Sequence, residues 1–346
     1  MSLVLITGGC GFVGSHTCCV LLENGFNIII LDSLLNSSKL VLEKIKKLNQ
    51  KNKTKIKFIK GDVRNEFLLE NIFQYSINKG EKIDSVIHFA GLKSARESVT
   101  ESINYWNVNL SSAIILLKVM EKYACFNFVF SSSASIYGVS QEETIKESSN
   151  INPISPYANT KAAIEILLKD VSISDKRWRI ICLRYFNPIG AHPSGLIGEC
   201  SKFEPTNVFP IIMKVASGMQ NKLKIFGNDW ETKDGTAIRD YVHVLDVAEA
   251  HYLALKRLIS QNEQIIAFNI GTGKGASVLE LVNTFEKVNK CKVPMLIVPR
   301  RHGDVKSLIA NNDFSRKELN WNHRRNLEQM CEDGWKYYCK NNDFKI

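Results

Sequence analysis

Tyr157 and Lys161, in the run SPYANTK, stand four residues apart. At that spacing on a helix the two side chains share a face and reach one another. A lysine cation stabilises a neighbouring phenolate and draws a group of free pKa about 10 towards a working pH. Such a pair can take a proton from a hydroxyl. The spacing alone decides little, because Tyr75/Lys79 and Tyr252/Lys256 repeat it. The surroundings decide more. Ser155-Pro156 reads as a helix start, with serine as N-cap and proline at the first helical position. Upstream, FSSSASIYG puts Ser131, Ser132 and Ser133 at the carboxyl end of an apolar run, where a hydroxyl could share a substrate proton with the tyrosine. Tyr75/Lys79 instead lies on a helical stretch leading to a glycine turn, and Tyr252/Lys256 falls within an ordinary amphipathic pattern. Both are read as structural.

A second constellation opens the chain. LVLITGGCGFVGSH places Gly8, Gly11 and Gly14 directly after an apolar strand pattern and at the mouth of a helix. Glycines at those positions allow a tight turn and let a pyrophosphate approach the N–H groups of the helix N-terminus. The next strand pattern ends in Asp32, about 20 residues on, where a carboxylate can accept from a ribose hydroxyl and would repel a 2′-phosphate. This favours NAD over NADP, and an oxidised nicotinamide would assist Lys161 in stabilising the phenolate. Asp62, in GDVR, follows the third strand pattern and could reach the adenine. FAGLK, residues 89–93, follows the fourth and brings backbone and Lys93 near phosphates or ribose. Ligands of open α/β sheets bind outside the carboxyl ends of the strands.

The elements that must position these groups are legible as alternation. LVLIT (3–7), FNIIIL (26–31), KIKFIK (55–60), SVIHFA (85–90), FNFVFSSS (126–133) and RIICLRYF (179–186) read as buried strands. Amphipathic stretches at 14–24, 104–123 and 157–171 lie between them. Near-continuous apolar strands alternating with helices predict a doubly wound parallel α/β sheet of Rossmann type. After residue 187 the pattern turns Gly-, Pro- and Ser-rich. A helix at 246–258 and a strand at 265–271 then return. The expected division is interleaved: 1–187 with 241–271 as a dinucleotide-binding domain, and 188–240 with 272–346 as a smaller α/β substrate-binding domain.

Composition limits the rest. At 346 residues, one large or two interlocked domains are expected. A hydrophobic content of 45% and a charged content of 23% are ordinary for a globular protein. The start carries no basic leader, no apolar run approaches a membrane span, and nine cysteines show no C-x-x-C pair. Reduced thiols in the cytoplasm, no membrane and no metal site are therefore expected. The net charge of +10 is concentrated in KIKKLNQKNKTKIKFIK, residues 44–60. That stretch has only Phe58 to stack a base, so it reads as a solvated surface loop ending in a strand, with no nucleic-acid partner.

Taken together, TGGCGFVGSH, HFAGLKSARES, FSSSASIYG, PYANTK, LRYFNPIGAHPSG, RDYVHVLDVA and FNIGTGKGASV resemble the UDP-glucose 4-epimerases, extended short-chain dehydrogenases, in consistent order from residue 3 to about 335. The resemblance implies a tightly held NAD, a UDP-hexose substrate, a homodimer, and C4 inversion between UDP-glucose and UDP-galactose through a transient 4-keto sugar. It implies Ser133, Tyr157 and Lys161 as the catalytic set. Around NAD it adds Phe12, Val13, Asn36, Ser37, Val63 and Asn109 to the glycine turn, Asp32, Asp62 and the 89–93 stretch with Phe89, Ala90, Gly91 and Lys93. Asn187 would hold the sugar diphosphate beside Phe186. Asn207, Phe226, Arg239 and Arg301 would hold nucleotide and phosphates, Asp304 the uridine ribose, and Ser133 and Tyr157 the sugar. Leu308, four after Asp304, falls at the family's gate, where a bulky residue excludes N-acetylated sugars and a small one admits them; leucine is intermediate. Related dehydratases carry Asp-Glu directly after the catalytic hydroxyl, and decarboxylating relatives a Glu at the second position; here the residues are Ala134 and Ser135. Cys200, in GEC, departs from the family's usual acid.

Overall fold

Seven apolar runs pair into one parallel sheet in the computed structural model, which describes residues 2–140, 142–200, 202, 204–261, 264–301 and 303–342. The strands are Leu3–Thr7 (β1), Asn27–Asp32 (β2), Ile56–Lys60 (β3), Ile83–His88 (β4), Asn127–Ser131 (β5), Arg179–Tyr185 (β6) and Ile265–Ile270. Their spatial order is β3-β2-β1-β4-β5-β6, with Ile265–Ile270 outside β6. The order reverses between β1 and β4, which is the switch point where such sheets bind ligands. Helices Phe12–Glu23 (α1), Leu40–Leu48 (α2), Glu66–Asn78 (α3), Ala95–Thr100 (α4), Ser102–Lys122 (α5) and Pro156–Ser174 (α6) lie between the strands.

Alternation along each strand divides the core. Val4, Ile6, Ile28 and Ile30 pack under α1 and the helix Val244–Ser260, together with Leu21, Leu22, Ala250 and Ala254. Leu3, Leu5, Ile29, Leu31, Phe128 and Phe130 face the other way, against Ile72, Phe73, Leu116, Met120, Ile164 and Leu168. Successive side chains point to opposite faces of a strand, so an all-apolar strand is stable only with both faces covered. Each fully buried Leu or Ile contributes roughly 1.5–3 kcal/mol through removal from water.

A third apolar cluster lies outside the large sheet and joins Ile189, Phe209, Ile212, Ile225, Tyr241, Leu281, Phe285, Met330 and Trp335. Small paired strands surround it: Asn187–Ile189 with Tyr241–His243, and Leu223–Phe226 with Met295–Val298. The aperiodic reading after residue 187 missed the helix Val208–Ala216, whose Phe209, Ile212, Met213 and Val215 are buried. The lysine-rich stretch also needs correction. Its first part is the end of α2, because Leu42 and Ile45 are buried at helical spacing and Leu48 packs against the same core. Lys46, Lys47, Lys51, Lys53 and Lys55 are exposed as expected, and the stretch ends in β3, the sheet's edge strand. Lysines on an edge oppose pairing with a second chain.

Candidate active site

Because all strands of the large sheet are parallel, the residues following Thr7, Asp32, Lys60, His88, Ser131 and Tyr185 emerge at one edge. The glycine turn begins there. Gly8 adopts φ +72°, and a Cβ on it would meet the Ala90 nitrogen at 2.7 Å. A Cβ on Gly14 would meet the Gly8 carbonyl oxygen at 2.4 Å, so α1 can lie this close to the turn only with glycine there. Gly11 is the N-cap of α1, where no side chain caps the helix. The first N–H groups of α1, from Phe12 and Val13 onwards, are therefore available to an anion. Asp32 ties the turn to the loop that follows β2. One carboxylate oxygen accepts the Cys10 N–H at 2.9 Å; the other accepts the Leu34 N–H at 2.8 Å and the Ser37 hydroxyl at 2.9 Å. Asn36 lies in the same loop and accepts the Lys202 N–H at 3.0 Å. A cradle that only glycine fits, an uncapped helix N-terminus and a carboxylate at the end of β2 together suit a dinucleotide.

The 89–93 stretch leaves β4 beside this turn. Asn109, on α5, clamps it by accepting the Leu92 N–H at 2.8 Å and donating to the Leu92 carbonyl at 3.1 Å. The same amide donates to Thr160 Oγ1 at 2.9 Å, next to Lys161. A Cβ on Gly91 would meet Asn109 Oδ1 at 2.9 Å. Phe89 packs on His251 at 4.6 Å between ring centroids. Lys93 pairs with Glu199 at 2.6 Å, a partner that sequence reasoning missed because it lies 106 residues on. Asp62 is held by Arg64 at 2.6 Å, and Val63 beside it is buried.

The catalytic candidates gather between β5, β6 and α6. Ser155 caps α6 by accepting the Ala158 N–H, with Pro156 in the first turn, as expected. Lys161 is buried and donates to the Ser131 carbonyl at 2.8 Å; its nitrogen lies 6.0 Å from the Tyr157 ring centroid. Burial lowers the Lys161 pKa to about 8, and Glu165 opposes the fall. Burial pushes the Tyr157 phenol up and Tyr185 adds to the rise, while a hydrogen bond with Ser133 pulls it back. The three serines divide their work. Ser131 Oγ meets the Tyr185 hydroxyl at 2.8 Å, Ser132 donates to Glu165 at 2.5 Å, and only Ser133 meets Tyr157. The strand stops at Ser131, so Ser133 instead caps the tight turn Ala134–Tyr137 and accepts the Ser135 N–H at 3.2 Å. The rival pairs stay elsewhere. Tyr75 is half exposed beneath Lys57, and Tyr252 packs edge-on to Phe26 while Lys256 is exposed.

The remaining candidates form two groups. Phe186 and Leu308 share a cluster with Ala134, Ile136, Tyr137 and Ala162, and so border the Ser133 turn. Leu308 pairs with Arg239 across short parallel strands. Arg239 and Arg301 both hold Asp304, at 3.7 and 3.0 Å, and Arg301 lies over the Phe226 ring at 5.1 Å. Two guanidinium groups converging on one carboxylate can also receive phosphate oxygens. Asn187 begins the small strand after β6, its N–H donating to the Asp240 carbonyl at 3.0 Å. Asn207 is the exposed N-cap of Val208–Ala216, yet its side chain caps nothing. His88, also missed in the sequence, meets Thr7 Oγ1 at 2.7 Å; burial and then Lys161 lower its pKa to about 3, so it is neutral. Among the described residues no group of three or more His, Cys, Asp or Glu could hold a metal ion.

Sheet, glycine turn and Tyr157/Lys161 pair define an extended short-chain dehydrogenase/reductase. Comparison with known proteins narrows this. The model of the GDP-mannose 4,6 dehydratase family matches residues 5–334. UDP-glucose 4-epimerase 2 of Arabidopsis thaliana is 44% identical over 338 residues, covering 98% of this chain and 95% of that protein. The UDP-glucose-4-epimerase of Stenotrophomonas maltophila, solved with bound NAD and formylated UDP-arabinopyranose, superimposes with a TM-score of 0.94 at 40% identity, covering 99% of both chains. That of Bifidobacterium longum, in complex with NAD+ and UDP, gives 0.92 at 39% identity, covering 99% of this chain and 100% of that one. The chain belongs to the UDP-glucose 4-epimerase family. The dehydratase name of the broader family model does not transfer, since Ala134 and Ser135 supply no carboxylic acid after Ser133.

Proposed function

We propose that this protein interconverts UDP-glucose and UDP-galactose by inverting C4 of the sugar on a retained NAD. The observation that carries the reading is the meeting of Tyr157, Lys161 and Ser133 at the same sheet edge as the glycine turn and Asp32. Names borne by relatives of near-complete overlap support it, as do the NAD and UDP ligands of the structural neighbours.

When bound, NAD supplies the redox chemistry, accepting a hydride from C4 and returning it to the opposite face of the sugar. Tyr157, as phenolate, takes the 4-OH proton, and Ser133 shares the hydrogen bond. Lys161, cationic and held by the Ser131 carbonyl, stabilises the phenolate. On return Tyr157 gives the proton back, so no proton or electron is gained or lost. Asp32 and Ser37 would take the adenosine ribose, Asn36, Asp62 and Val63 the adenosine end, and the N-terminus of α1 the pyrophosphate; Lys93 and the clamped 89–91 backbone would complete the dinucleotide's contacts. Phe186 and Asn187 position the sugar diphosphate, Arg239 and Arg301 its phosphates, Asn207 and Phe226 the nucleotide, and Asp304 the uridine ribose.

The division of labour follows the interleaved scheme: 1–187 with 241–271 holds the dinucleotide, and 188–240 with 272–346 holds the UDP-sugar. Leu308, set beside Phe186 and Ala134, leaves intermediate room, so UDP-N-acetylgalactosamine is a second substrate to test. The nine cysteines are free thiols, which suits a cytoplasmic enzyme. No helix of the described residues is long and apolar enough to cross a membrane. The homodimer is supported by Ile103 and Ile114 of α5 and Ile166 and Ile173 of α6, exposed on two helices that pack together. Sedimentation should return twice the 39.1 kDa chain mass, and the chain mass alone would refute the dimer.

The activity is tested by incubating the purified protein with UDP-galactose, and separately with UDP-N-acetylgalactosamine, without added NAD. Appearance of UDP-glucose is expected. No inversion even after NAD is added would refute the reading.

A further inference from the structure

Helix α6 carries a third ionisable group on the face of the candidate pair. Tyr157, Lys161 and Glu165 follow at four-residue spacing, so Glu165 stands one turn beyond Lys161. Its buried carboxylate is taken up by protein donors. Ser132 Oγ donates to it at 2.5 Å, Arg184 Nε at 3.1 Å to both oxygens, and Arg184 Nη2 at 2.5 Å. Arg184, also buried, donates from Nη1 to the Tyr137 hydroxyl and the Glu147 carbonyl, both at 2.9 Å. The ion pair therefore grips the turn on both sides of Ser133, at Ser132 and at Tyr137. The residue before Ser132 offers its carbonyl to Lys161 at 2.8 Å.

A buried ion pair is a poor way to gain stability, because desolvating two charges offsets most of their attraction and apolar residues of equal volume do as well. Its placement accounts for it better. We infer that Glu165, locked by Arg184, is a positioning residue for the epimerisation: its buried carboxylate stands one helical turn beyond Lys161 as the counter-charge on that face, and its bond to Ser132 sets the turn that presents Ser133 to Tyr157. The inference rests on the reading of Tyr157 and Lys161 as the acid/base pair. Among the described residues, the groups around Lys161 offer no other anion for the task. Tyr157 shares its helix, His88 at the end of β4 is neutral, and from β6 come Tyr185, a phenol pushed up by burial, and the cation Arg184. Burial lowers Lys161 and Glu165 raises it back.

The test is the pH dependence of kcat and KM for UDP-galactose with the NAD-loaded enzyme, wild type against Glu165→Gln. Glutamine keeps the volume and an acceptor for Ser132 but removes the charge. The alkaline limb of kcat, where Lys161 loses its proton, should move down by about half a pH unit or more, with KM changed less than about twofold. Should Glu165→Gln fail to fold, the charge-neutral double variant Glu165→Gln/Arg184→Met is measured, and a downward shift of smaller size is expected, because the opposing Arg184 cation leaves with the carboxylate. An unmoved limb together with a lowered melting temperature would overturn the inference and leave a merely structural ion pair. A wild-type protein without inversion would refute the underlying functional reading instead, so the two failures are distinguishable.

Discussion

At the residue scale, burial works against the chemistry Tyr157 has to do. A buried phenol resists ionisation, and the environment pushes this one up rather than down, with only Ser133 pulling it back. A bound oxidised nicotinamide and a protonated Lys161 must supply the remaining stabilisation. Lys161 itself is lowered to about 8, so its charge is retained at neutral pH and lost as pH rises past that value. Replacing Tyr157 by Phe removes the acid/base oxygen and little volume. Turnover should fall by roughly two to four orders of magnitude, the range ascribed to a positioned proton-transfer group, while NAD stays bound. Wild-type turnover in that variant would remove Tyr157 from the mechanism. Much of this was legible in SPYANTK and FSSSASIYG, because a capped helix start and a serine run are local signals. Glu165 was not, since its meaning depends on Arg184 arriving from a neighbouring strand 19 residues later.

At the scale of elements, the glycine turn is a tightly constrained piece of backbone. Gly14 brings α1 against the Gly8 carbonyl at a separation that leaves no room for a methyl group. Gly14→Ala should force α1 outwards, costing about 1–3 kcal/mol by overpacking and loosening the anion site. A lowered melting temperature and a protein that loses its dinucleotide on gel filtration, read from the 260/280 nm absorbance ratio, are expected. Unchanged retention and melting would contradict the turn's assignment. Strand–turn–helix order is written in sequence, so this element could be read directly. Val208–Ala216 could not, because this short helix carries Pro210 within its first turn and follows a Gly- and Pro-rich stretch that masks the helical spacing of Phe209, Ile212 and Met213. The lysine-rich stretch misled for the opposite reason: many charges hid the helical spacing of Leu42 and Ile45.

For the whole molecule, the parallel sheet gathers residues as distant as Gly8 and Phe186 on one edge, which is what alternating apolar runs and helices foretold. The third core was less legible, because Ile189, Ile225, Leu281 and Trp335 come from separated stretches and meet only after folding. Among the described residues, the buried imidazoles of His16, His88 and His251 make the fold sensitive to acid. His16 and His88 are lowered to about 3 and His251 to about 4, in each case chiefly by burial. A folded pKa below the unfolded value of about 6.5 means stability that is present above pH 6.5 and lost as pH falls towards 3–4. Each imidazole removes on the order of 1 kcal/mol per pH unit in that window. The melting temperature should therefore drop steeply between about pH 6.5 and 4, and a flat profile would contradict the neutral burial of these histidines.

The central claim is that C4 is inverted by oxidation and re-reduction within one site. It is tested most directly with UDP-galactose carrying deuterium at C4, incubated with the purified protein in ordinary water. The account predicts UDP-glucose that keeps the deuterium at C4, since the hydride is held in the site and returned to the same carbon. Loss of the label to solvent would show that C4 is inverted through a proton rather than a hydride, and would contradict the account.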